Sequence, residues 1–128
     1  MVVGILRIRL HIPGAQSLSD RQRLTRKICE RVRARFNVSI ADVGGEGEWR
    51  VATLAVTAVA NEHAHCNEML DKAGNEIVST AIGVGMVTSH DLELTSYNDD
   101  TPLAGDDYTP MAKGALPPAP PRRPGRRR

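Results

Sequence analysis

A chain of 128 residues, 41% of them hydrophobic, can build one small core and not two. Aromatic residues make up only 3%, so the core must be aliphatic, and the stacking platform on which many sheets read single-stranded RNA is missing. The net charge of +2 hides a division: residues 1–97 hold 11 Lys and Arg against 11 Asp and Glu, whereas residues 98–128 hold 6 bases and 4 acids.

The first segment, "MVVGILRIRLHI", alternates. Gly4, Leu6, Ile8, Leu10 and Ile12 face one way; Val3, Ile5, Arg7, Arg9 and His11 face the other, as in a half-buried strand with one polar side. The segment has no basic start and no small-residue cleavage site, so a secretory signal is not expected. Pro13 and Gly14 end the strand. A helix follows, capped by Ser17 or by Ser19, which has Gln22 at capping-box spacing. Leu24, Ile28, Val32 and Phe36 form its apolar stripe. At ~100° per residue, Arg23, Arg26 and Arg33 point outward with Glu30 among them, while Arg21 and Arg35 project towards the two ends of the stripe. A guanidinium placed there must snorkel, find a carboxylate or meet a ligand.

"NVSIADV" (37–43) and "WRVATLAVTAVA" (49–60) read as the second and third strands, joined by the glycine-rich hairpin connection "GGEGE". Asn61 is the expected cap of a second helix, with Cys66, Leu70, Ala73 and Ile77 on its apolar face. Gly83 and Gly85 punctuate the chain before a last strand, "MVTSHDLELTSY", with Leu92 and Leu94 inward. The order predicts an α+β fold: a ferredoxin-like βαββαβ sandwich, with two helices on one face of a four-stranded antiparallel sheet. This domain spans residues 1–97. Residues 98–128 hold seven of the eight prolines and end in "PPAPPRRPGRRR", a composition expected to be disordered.

Chemistry-bearing clusters are sparse. His63, His65 and Cys66 in "HAHC" form the sharpest metal candidate, yet His65 points away from the other two and Cys66 sits in the apolar stripe. Cys29, one turn before Arg33, is a candidate activated thiol. Both cysteines fall in helical patterns and are expected to be buried and reduced. "GVG" at 83–85 lacks the strand, helix and Lys of a phosphate loop. The reading assigns no catalytic residue, metal or cofactor, and leaves a thiol or metal enzyme as a minority alternative.

Several motifs together resemble the YlxP-like family, a bacterial domain of unknown function. They are Ser17-Leu18 with Arg21 opening the first helix, Arg35-Phe36-Asn37-Val38-Ser39, Trp49, Asn61-Glu62, and Leu70-Asp71-Lys72. Ser19 and Gln22 stand where the family usually carries Lys and Arg, so its basic cluster is reduced to Arg21. The resemblance covers residues 1–97. It implies a ferredoxin-like fold and, through the family's gene neighbourhood, a setting near translation initiation and ribosome maturation.

Charge and resemblance converge on a cytoplasmic, non-catalytic binding protein that touches ribosomal RNA or a ribosome-assembly intermediate. No membrane role is expected, because no apolar run approaches the roughly 20 residues of a span. The candidate RNA-backbone contacts are Arg7, Arg9, Arg21, Arg23, Arg26 and Lys27, with Arg122, Arg123, Arg126, Arg127 and Arg128 as a tethered basic arm. The plain alternative is that a basic helix face is merely solvated. A second functional reading is a homodimer packed through a small, flat sheet face of Thr53, Ala55, Thr57 and Val59.

Overall fold

The computed structural model describes residues 1–44 and 48–97. The elements are β1 (Val2–His11), α1 (Leu18–Arg35), β2 (Ser39–Gly44), β3 (Val51–Ala60), α2 (His63–Ala81) and β4 (Met86–Ser96). The strands form one sheet in the order β2-β3-β1-β4, with every neighbouring pair antiparallel. Both helices pack on one side, as the βαββαβ pattern requires.

Alternation in β1 decides which side of the sheet becomes core. Leu6, Ile8, Leu10 and Ile12 are buried towards the helices, while Ile5, Arg7 and Arg9 stand exposed on the opposite, open face. β3 lies alongside in matching register, so Ala52, Leu54, Val56 and Ala58 extend the buried layer. Ile28 and Val32 from α1, with Cys66, Leu70, Ala73 and Ile77 from α2, complete an aliphatic interior. The glycine at position 4 is what lets α2 come close. A Cβ there would lie 2.5 Å from Leu70 Cδ1, 2.7 Å from Leu94 Cδ2 and 2.8 Å from Cys66 Sγ.

The helix starts settle one open alternative and correct one expectation. Ser17, not Ser19, caps α1: its Oγ accepts the Asp20 N–H at 3.2 Å, and the Asp20 carboxylate accepts the Gln16 N–H at 2.9 Å. Asp20 therefore takes the part expected of Gln22, because its shorter side chain reaches back one residue before the cap and sets a negative charge at the positive helix end. In α2 the cap position is Glu62 rather than Asn61. Its backbone is extended and its carbonyl accepts the Cys66 N–H at 3.1 Å, with no side-chain cap.

Strand bounds differ slightly from the sequence reading. β2 begins at Ser39, β3 at Val51 and β4 ends at Ser96. Trp49 falls in the turn before β3, exposed and off the sheet. Leu92 and Leu94 pair with Leu6 and Gly4 and so face the helices, but β4 is an edge strand and leaves Leu92 partly in solvent. Among the described residues, no helix is long and apolar enough to cross a membrane. The proline- and arginine-rich segment 98–128, with its five terminal arginines, lies outside the described residues.

Candidate functional site

The fold sorts the cations of the first 97 residues by partner. Arg7 stands directly opposite Asp91 on β4, and its guanidinium donates to the Asp91 carboxylate in an exposed ion pair. Arg35, at the end of α1, meets Glu76 of α2 at 2.8 Å. Arg33 donates to the Ile40 carbonyl at 2.9 Å, tying α1 to β2. Arg23 is solvent-exposed and its nearest carboxylate, Asp20, is 3.7 Å away. Arg9, Arg26 and Lys27 are exposed and have no ion-pair partner among the described residues.

Arg21 departs from the expectation that it contacts RNA. It is 8% exposed, and its Nη1 lies 3.4 Å from Asp42 Oδ1 on β2. The inward direction read from the helix period is correct, but the partner is a carboxylate of the same chain. A buried group already facing an acid offers nothing to an external phosphate.

The open sheet face has two unlike halves. Near the C-terminal end of β1, Arg9 pairs across to Thr53 on β3 and Ser89 on β4, with His11 two residues along. Arg7 and Arg9 border a hollow of about 420 Å³ with Gly44, Glu48, Val51 and Thr53. A guanidinium with no ion-pair partner among the described residues, beside the Thr53 hydroxyl, is suited to an oxyanion, although the Glu48 carboxylate also borders the hollow. At the other end of β1 the face is apolar: Val3 lies opposite Val59, and Ile5 opposite Thr57. Val59 is 61% and Ile5 40% exposed. Thr53, Ala55 and Thr57 are half-buried between these halves.

The thiols are poorly placed for chemistry. Cys29 and Cys66 are both free and buried. Burial pushes the Cys29 thiol above its ordinary range, opposed by Arg33 and assisted by Asp42 and Glu30. Burial likewise raises Cys66, whose Sγ points at the Ala58 carbonyl. His63 and His65 are exposed, and the His63 ring contacts Ser96 Oγ on β4. Among the described residues, no three His, Cys, Asp or Glu side chains converge as a metal-binding group.

One feature escaped the sequence reading. The loop after β1 and the loop before β4 meet beside α1 and enclose a groove of about 620 Å³. Gly83 adopts a φ of 90° there, which favours glycine, and a Cβ on Gly85 would lie a tight 3.1 Å from the His11 carbonyl. The legible signal was Pro13-Gly14 and Gly83–Gly85 flanking the same end of the sheet.

A family model described as "Protein of unknown function (DUF503)" matches residues 3–93. The chain belongs to this family. Within 71 residues it is 25% identical to the uncharacterized protein YlxP of Bacillus subtilis (strain 168), covering 56% of this chain and 77% of that relative. These matches agree with the YlxP-like resemblance carried by Ser17–Lys72. A de novo designed protein with ferredoxin fold superimposes over 85% of this chain and 99% of its own length, with a TM-score of 0.52 and 8% identity. That likeness concerns the fold alone and agrees with the predicted ferredoxin-like sandwich. A putative chlorite dismutase, TA0507, gives a TM-score of 0.49 at 8% identity, covering 73% of this chain; the chain spans 42% of that protein's length.

Proposed function

We propose that this DUF503 member is a non-catalytic cytoplasmic binding module that contacts the phosphate backbone of RNA, in a translation or ribosome-maturation setting. The observation that carries this reading is Arg9 on the open sheet face, set between Thr53 and Ser89 and without an ion-pair partner among the described residues. Arg23, Arg26 and Lys27 add exposed charge from α1, whose N-terminal half lies at the same end of the fold as His11. Arg7 contributes less, since binding a phosphate means giving up Asp91. Arg21 is left out because it is buried. Arg122, Arg123, Arg126, Arg127 and Arg128 add sequence-independent attraction. Binding of this kind is driven by counterion release and tolerates sequence changes. Buried thiols of raised pKa support a binding protein over a thiol enzyme.

Pull-down from bacterial lysate with the full chain, with and without nuclease, tests the reading. RNA should be retained and should vanish after nuclease treatment. Recovery no greater than on blank resin contradicts it.

A second reading draws on Val59 and Ile5, large apolar side chains exposed on one flat face. Packing that face with Ala55 and Thr57 against a second copy would bury them. Light scattering of wild type and Val59→Asp separates the two readings: a dimer lost in the variant favours association, whereas a monomer throughout removes it.

A further inference from the structure

We infer that the groove between the β1–α1 and α2–β4 loops binds a small molecule with an apolar body and one anionic end. The inference does not rest on RNA binding. The groove holds about 620 Å³, within the roughly 300–1,000 Å³ of small-molecule sites. Its walls are Ile12 and Ala15 from the first loop, Leu24 from α1, Val84 from the second loop and Met86 at the start of β4. Val84 is 51% and Met86 59% exposed, a cost in hydration that an apolar occupant would relieve.

Charge at the rim selects the occupant. Arg23, Lys27 and Asp20 line it, two cations against one carboxylate. Asp20 is already engaged: one oxygen accepts the Gln16 N–H at 2.9 Å and the other lies 3.7 Å from Arg23. Lys27 has no ion-pair partner among the described residues, so the rim carries one uncompensated positive charge above an apolar floor. A single carboxylate, sulfonate or phosphate on a hydrocarbon or aromatic body complements that arrangement. A polyanion does not need the floor, and a neutral hydrocarbon does not need Lys27.

Anilinonaphthalene sulfonate, an aromatic body with one anionic group, is a suitable probe. Its fluorescence is titrated against the full chain, beside neutral N-phenylnaphthylamine. Saturable binding at one site per chain is expected. Val84→Asp should abolish it. Lys27→Ala should weaken the sulfonate about five- to tenfold, the scale of one solvent-exposed hydrogen bond, and leave the neutral probe unchanged. Lys72→Ala, which removes an exposed cation of α2 outside the groove's lining, should change neither. Circular dichroism confirms that each variant is folded. Absence of saturable binding, binding that survives Val84→Asp, or equal loss of both probes with Lys27→Ala overturns the inference. Loss of RNA binding with probe binding intact would overturn only the RNA reading.

Discussion

Arg21 offers the clearest test of whether a basic residue here serves the fold or a ligand. Its Nη1 faces Asp42 at 3.4 Å, and its Nε, with no hydrogen-bond partner among the described residues, is also shielded from water. Asp42→Ala leaves a guanidinium buried without its counter-charge. Stranding a fully buried charge costs roughly 3–5 kcal/mol. Here the Asp42 side chain is 25% exposed and the contact is long, so water compensates in part and about 2 kcal/mol is expected. Arg21→Met removes the buried charge itself and leaves Asp42 within reach of solvent and of the Gly44 N–H at 2.9 Å. That change should cost about 1 kcal/mol or less. The double variant Arg21→Met with Asp42→Ala should recover much of the loss of Asp42→Ala alone. Thermal unfolding followed by circular dichroism reads the difference: about 2 kcal/mol corresponds to roughly 8–16 °C in Tm for a domain of this size. Asp42→Ala melting with wild type, or the double variant melting below Asp42→Ala, would refute the buried-pair argument.

Two further outcomes follow from the interior. Gly4→Ala drives a methyl group into Leu70, Leu94 and Cys66, two of which are fully buried; it should lower stability by about 1–3 kcal/mol in a urea titration, and an unchanged midpoint would show that α2 moves freely. Cys29 and Cys66 should resist a thiol reagent in the native state and react on unfolding, so fast native labelling contradicts their burial. Their pKa values are raised in the fold above the ordinary thiol value of 9.0. The unfolded chain therefore loses protons first, and stability should decline as pH rises past that value; a flat response of wild type, or an equal decline in a cysteine-free variant, contradicts the assignment.

Local periodicity made most of this fold legible. The alternation of β1 correctly put Arg7 and Arg9 on the open face, and the α1 stripe correctly turned Arg21 inward, whereas Arg35 at the helix end stays exposed and reaches Glu76 from the surface. Their partners were not legible, because Asp42 and Glu76 belong to other elements and reach them only through tertiary packing. Trp49 matched a strand by composition, yet the turn before β3 claimed it. The α1 cap stayed open between Ser17 and Ser19 and the α2 cap was misplaced by one residue, since several polar residues compete for each helix start. The groove is formed by two loops about seventy residues apart in the chain, so no window of sequence contains it.

The central claim is that Arg9 meets an RNA phosphate while Arg21 does not. Filter binding of structured RNA from about 50 to 200 mM salt tests it most directly, comparing wild type, Arg9→Ala and Arg21→Met. The account predicts a steep salt dependence for wild type, a slope shallower by about 1 for Arg9→Ala, and an unchanged slope for Arg21→Met. A flat salt response in wild type, or a slope that changes with Arg21 and not with Arg9, would contradict it.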